Sequence, residues 1–206
     1  TSRYTVWVVP QYATPNANNS NANEFGATAQ VTIKVPQSFV IQGIVDVRGV
    51  WNKTPLKLGD PITQPAFNSQ TYDKNYRYYT VGKSNEETDY GPFVNGTSVA
   101  LFTFVGNLCA GALGILPKGD AFVTAAMNAY SLNAESSFYS RSGQPAGGNI
   151  APREQFIDKL GPDAACPPVA NNDTAPNTNP GATASVNVLA NDLLSNTTTP
   201  IPAFVT

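Results

Sequence analysis

In residues 30–35, QVTIKV, apolar and polar side chains alternate without interruption: Val31, Ile33 and Val35 on one face, Gln30, Thr32 and Lys34 on the other. A period of two is the signature of a strand with one buried face, and it does not fit a helix. Similar short runs recur along the chain. Residues 3–9 (RYTVWVV) are rich in β-branched and aromatic side chains and end at Pro10. Residues 39–50 place Phe39, Ile41, Val45 and Val47 on one face, with Gly43 and Gly49 as bend or bulge positions. Residues 76–81 (YRYYTV) and 136–140 read as further strands. Residues 98–105 (SVALFTFV) are apolar on both faces, as expected of a central strand. Turn-rich segments punctuate these runs, including Pro55, Pro61 and Pro65, the Asn95-Gly96 pair and the Pro117-Lys118-Gly119-Asp120 turn. Many short strands between Pro/Gly turns predict an all-β antiparallel sandwich.

One helix is expected, at residues 152–160 (PREQFIDKL). Pro152 stands at its start, Phe156, Ile157 and Leu160 form its apolar stripe, and Gly161-Pro162 stops it. Residues 121–132 are compatible with either strand or helix.

Composition narrows the functional classes. Charged residues are 13% of the chain, the net charge is −2 and there is no histidine. A surface of this kind carries no basic footprint for nucleic acid and no polybasic handle for membranes. Its apolar runs are too short to span a bilayer as a helix. The commonest general base and the commonest transition-metal ligand are both missing. Asn, Thr, Ser and Gln must supply solubility, which points to an exported, extracellular protein. The two cysteines, Cys109 and Cys166, match neither a zinc spacing nor a CxxC redox pair. Outside the cell they are expected to form one disulfide, worth roughly 4 kcal/mol in the chain-entropy model; two separate buried thiols are the alternative.

The sequence divides into a sandwich domain, residues 1–166, and an extended tail, residues 167–206. The tail has almost no charge and no helical period. It contains two apolar runs, ASVNVLA around Val186, Val188 and Leu189, and IPAFVT with Ile201, Phe204 and Val205. A segment of this composition does not bury enough surface to fold alone. Residues 167–184 form a polar leash that spans up to about 60 Å when extended.

Two stretches carry a family resemblance. YTVWVVP, QVTIKVP, ALFTFVGNLCAG and PKGDAF, the last leading to MNAYSLN, resemble the cohesin-like sandwiches of large bacterial surface proteins. VANND at residues 169–173, followed by VNVLAND at residues 186–192, resembles the opening of the cadherin-like, VCBS-type repeats of bacterial adhesins. After VLAND the chain has Leu193-Leu194-Ser195, where the family usually continues with another Asp. The resemblance implies exported, adhesive ancestry, and calcium held by acidic and amide groups.

Several groups of residues are candidate sites. Asp173, Asn191 and Asp192 offer hard oxygens for calcium, although such residues serve turns equally well. Trp51, Tyr76 and Tyr78 form either an aromatic sugar-binding face or cross-strand packing inside the sandwich. Asp46, Asp60, Asp120 and Glu135 show no spacing that pairs two acids for glycosidase chemistry, and Ser and Cys lack a His partner. N-x-[S/T] frames occur at Asn18, Asn52, Asn95, Asn172 and Asn196.

Two functional expectations follow. The first is a structural subunit of a cell-surface filament or adhesin, copies joined head to tail by the strand residues Val186, Val188, Leu189, Ile201, Phe204 and Val205; the alternatives for the tail are folding back on its own sandwich or forming the start of an incomplete next domain. The second is a binding module for surface glycans or for another adhesin domain. No catalytic role, nucleic-acid partner or membrane insertion is expected, and calcium is the only cofactor considered.

Overall fold

The computed structural model describes residues 3–11, 23–84, 90–107, 112–140, 153–154, 156–164, 172–174 and 179–183. The strands in chain order are β1 (Arg3–Val8), β2 (Asn23–Pro36), β3 (Ile41–Asp46), β4 (Leu56–Leu58), β5 (Tyr76–Gly82), β6 (Tyr90–Val94), β7 (Val99–Gly106), β8 (Gly114–Ile115), β9 (Ser137–Ser140) and β10 (Arg153–Glu154). A 3-10 turn lies at Pro65–Ser69, and the one α-helix, α1, is Ala121–Tyr130. Every strand pair is antiparallel.

The strands form two sheets, a smaller one in the order β1-β7-β3 and a larger one in the order β10-β9-β2-β5-β4, with β6 and β8 also on β2. One apolar core draws on both. Val6, Ile44, Phe102 and Phe104 come from the smaller sheet and Val31, Ile33, Val35, Tyr79 and Val81 from the larger. The fold is therefore all-β, antiparallel and sandwich-like.

The alternation in residues 30–35 does what its period requires. Val31, Ile33 and Val35 are buried in the shared core, while Thr32 and Lys34 face the other way. Thr32 is itself fully buried, because that second face is covered too. Its hydroxyl lies 3.0 Å from that of Thr80 opposite it on β5. On its other edge β2 passes from β9 to β8, and Thr32 sits at the junction. The Ser136 hydroxyl there accepts from the Thr32 N–H at 3.1 Å, and the Leu116 N–H donates to the Thr32 carbonyl at 2.8 Å. No main-chain group of Thr32 is left dry and unpaired.

β5 feeds two cores by the same rule: Tyr79 and Val81 enter the first, Tyr78 the second. The second core lies under α1, where Phe122, Ala125 and Ala126 meet Leu58, Phe67, Tyr78 and Leu116. α1 begins where the Asp120 carboxylate accepts from the Phe122 N–H at 2.8 Å. It ends at Ser131, which takes the left-handed conformation at φ 56°.

The helix expected at residues 152–160 is not formed. Residues 153–154 are the short strand β10, and 156–160 have no regular structure. The apolar stripe has no surface to cover: Ile157 and Leu160 are each 68% exposed. The helix lies instead in the segment whose sequence fitted both forms. β7 is central in the smaller sheet, as expected; Phe102 and Phe104 are buried on one face, while on the other Leu101 is buried and Thr103 and Val105 are partly accessible. β6 and β4 lie in stretches that read as loop or turn.

Candidate functional site

The main feature open to a partner is at the border of the smaller sheet. β1 alternates cleanly: Val6 is buried and Tyr4 and Val8 pack against the core, while Arg3, Thr5 and Trp7 face solvent. β1 pairs with β7 on one side; among the described residues its other edge has no ladder partner. Across from it stands β8, a two-residue strand held by β2.

Between these two edges lies a cleft of about 260 Å3. Tyr4, Val6, Ile33, Phe104, Leu113 and Ile115 make its apolar walls, and residues 159–164 cross it. The crossing segment is held at a few points. Leu113 and Ala164 exchange two main-chain hydrogen bonds, of 3.0 and 2.7 Å. The Asp158 carboxylate accepts from the Lys118 N–H at 2.9 Å and from the Lys159 N–H at 2.7 Å. Those two bonds hold the Asp158 pKa below the usual carboxylate value. Lys159 and Asp163 form an ion pair within the segment. Gly114 on β8 makes room for it, since a Cβ there would stand 2.1 Å from Asp163 Oδ1. In chemical terms the cleft is a mainly apolar slot, with Thr5, Lys159 and Asp163 at its rim, beside the border strand of the smaller sheet.

The outer face of the smaller sheet is exposed as well, with Trp7 57%, Val45 53% and Val47 55% accessible.

The residues singled out in the sequence fall differently. The aromatic binding face is not formed: Trp51 is 1% exposed and Tyr78 0%. Trp51 packs on Phe102 with centroids 4.8 Å apart, and its indole N–H donates to the Arg48 carbonyl at 2.8 Å. The Tyr78 hydroxyl donates to the Asp73 carbonyl at 3.2 Å. Only Tyr76 is partly accessible, with Lys34 Nζ 4.3 Å from its ring centre. These rings serve the cores.

The four acids are scattered. Asp60 pairs with Arg77 at 3.2 Å, and Asp120 caps α1. Glu135 accepts from the Gly119 N–H at 3.2 Å, and Asp46 binds Lys53 and the Trp51 N–H. Asp173 is exposed, and Asn191 and Asp192 lie outside the described residues. Among the described residues no group of three or more acidic, Cys or His side chains is placed to hold a metal ion. Cys109 and Cys166 lie outside the described residues, as do Val186, Val188, Leu189, Ile201, Phe204 and Val205. Of the N-x-[S/T] frames, Asn52, Asn95 and Asn172 are exposed, while Asn18 and Asn196 fall outside the described residues.

The cleft was not foreseen from the sequence. Its one sequence trace is the Leu160-Gly161-Pro162 break, which reads equally well as a helix stop. Compared with known protein families, with characterised proteins and with solved structures, the chain matches none.

Proposed function

We propose that this chain is a structural, adhesive module of an extracellular bacterial surface filament or adhesin, joined to its next copy by strand donation. The observation that carries the proposal is the cleft of about 260 Å3 beside β1, the border strand of the smaller sheet, whose outer edge has no ladder partner among the described residues. An open edge of this kind is a template for another strand. Residues 185–189, SVNVL, have the matching period, with Val186 and Val188 on one face. Added beside β1, that strand gains main-chain ladder bonds and sets its alternate side chains toward the cleft. The low charge and the adhesin-like VLAND motif support the same reading, and head-to-tail repetition of such a contact builds a fibre.

Sedimentation velocity on the full chain across a concentration series tests this. The native chain is expected to associate with rising concentration, and Val186→Asp/Val188→Asp to remain monomeric. A native chain that is monomeric at its highest soluble concentration overturns the proposal.

A second reading, a docking module for a protein or glycan, rests on Trp7, Val45 and Val47 on the outer face of the smaller sheet. It requires Val45→Asp to abolish capture on a glycan array or by a partner domain while self-association is unchanged.

A further inference from the structure

We propose that Asn95, in the frame Asn95-Gly96-Thr97, is a glycan acceptor site of this chain. Its role is independent of how copies join, and the support is the contrast among the three N-x-[S/T] frames that the structure describes.

The chemistry sets what an acceptor must offer. An amide nitrogen is a weak nucleophile, because its lone pair is delocalised into the carbonyl. A glycosyltransferase therefore grips the frame at two points, the Asn amide and the hydroxyl two residues on. In the transfer, Nδ2 bonds to the anomeric carbon of a sugar activated as a diphosphate ester. The anomeric C–O bond breaks, the diphosphate leaves with the electron pair, and a base of the transferase takes one proton from Nδ2. A good acceptor is exposed, has its hydroxyl to spare and puts no negative charge beside the anionic donor.

The Asn95 frame has these three properties. Residues 95–98 are all exposed. They follow β6 in a tight turn, closed by the Thr97 N–H donating to the Val94 carbonyl at 3.0 Å and tethered by the Gly96 N–H donating to the Pro10 carbonyl at 2.8 Å. Both bonds use main-chain groups. The Thr97 hydroxyl makes no hydrogen bond among the described residues. Gly96 takes φ 74°, and a Cβ there would meet nothing within 4 Å, so the space over the middle of the frame is open.

The other two frames each lack one property. At Asn52 the Thr54 hydroxyl donates to Asn52 Oδ1 at 2.9 Å, as does the Thr54 N–H, also at 2.9 Å. The two groups a transferase must grip are thus bonded to each other. Trp51, 1% exposed, anchors one end of that frame, and Pro55 fixes the chain at the other. Asn172 is exposed, but Asp173 puts a carboxylate in the middle of its frame, which repels an anionic donor. A glycan at Asn95 also supplies hydration to a chain with only 13% charged residues.

Peptide mapping by mass spectrometry of the full chain, purified from the cells that make it, tests the assignment. The peptide holding Asn95 is expected to carry a sugar mass, at higher occupancy than the peptides holding Asn52 or Asn172. Occupancy at Asn95 that is zero, or no higher than at either of the others, overturns the proposal. The folded chain is then incubated with a transferase that reads N-x-[S/T] frames and a nucleotide-diphosphate sugar. The hydrogen bond that Thr54 must break predicts an initial rate at Asn95 at least about fivefold above that at Asn52. Equal rates overturn the selection by the spare hydroxyl. Thr97→Ser keeps the hydroxyl and is expected to keep the modification, and Thr97→Val to lose it; a modified Thr97→Val chain overturns the two-point grip. If Thr97→Val loses cooperative thermal unfolding, the peptide map of the native chain decides alone.

Discussion

The ring of Tyr78 lies flat on the ring of Phe122, centroids 3.5 Å apart and planes 5° from parallel. This stack ties β5 to α1, and both side chains are 0% exposed. Phe67 and Tyr72 close around Phe122 at 5.6 and 5.4 Å. Phe122 therefore anchors the helix to the sheet, and Phe122→Ala is expected to cost about 3–5 kcal/mol in urea unfolding. Met127→Ala, on the exposed side of the same helix, should change stability by less than about 1 kcal/mol. Equal effects at the two positions would refute the anchoring role.

A second contact fixes the first core. Phe39 is fully buried, and a Cβ at Gly106 would stand 2.1 Å from its ring. The ring has nowhere to retreat, since Tyr4 meets it at 5.9 Å and Phe104 at 6.4 Å. Gly106→Ala is expected to destabilise by about 1–3 kcal/mol or more through overpacking. Combining it with Phe39→Leu should cost less than the two separate effects added together, as a double-mutant cycle would show. Strict additivity would mean that the two residues do not press on each other.

How much of this was legible follows from which residues carried local information. Residues 30–35 announced β2 because their alternation matches a buried face directly, and Asn95-Gly96 announced its turn because Gly96 takes φ 74°. Phe122, Ala125, Ala126 and Ala129 have helical spacing, but small Ala side chains give a weak apolar signal. α1 was therefore ambiguous until Asp120 and Ser131 are seen as its caps. Phe156, Ile157 and Leu160 gave a clearer stripe and no helix, because no neighbouring element offers that stripe a surface. Trp51 and Tyr78 fit either a sugar-binding face or packing inside the sandwich in sequence; the contacts that decide for packing, with Phe102 and Phe122, lie far along the chain. The cleft is less legible still, since it exists only where β1 and β8 come together.

Asp60 and Arg77 form the most enclosed ion pair among the described residues, at 3.2 Å with side chains 8% and 19% accessible. Burial alone would raise the Asp60 pKa; the Ile62 N–H, the Thr63 side chain and the Arg77 charge outweigh it and leave the pKa lowered. The unfolded chain then binds the proton more readily, so this carboxylate stabilises the fold above its ordinary pKa near 4. That contribution is lost as pH falls through the lowered folded value. Asp60→Ala should cost about 3–5 kcal/mol near neutral pH by stranding the guanidinium. It should also flatten the acid limb of the stability curve. An acid limb unchanged by the substitution would show that Asp60 does not shape it.

Lys83 sets the opposite limb. It is 9% exposed, with its ammonium 5.4 Å from the centre of the Trp51 ring. Burial pushes its pKa down to about 8 from 10.5, against the opposing pull of Asp46. Below pH 8 both folded and unfolded chains carry the proton, and stability is indifferent to this group. Between pH 8 and 10.5 the unfolded chain holds more protons, so stability rises with pH, by at most about 3 kcal/mol. The tyrosines reverse the trend. Burial raises the pKa of Tyr78, Tyr79 and Tyr72, so above about pH 10 the unfolded chain ionises first and stability falls. Urea midpoints measured from pH 7 to 11 are expected to climb, peak near pH 10 and drop. Lys83→Met should remove the climb and leave the drop. A midpoint that falls steadily from pH 8 would mean that Lys83 keeps its proton in the folded chain, and that its burial imposes no such penalty.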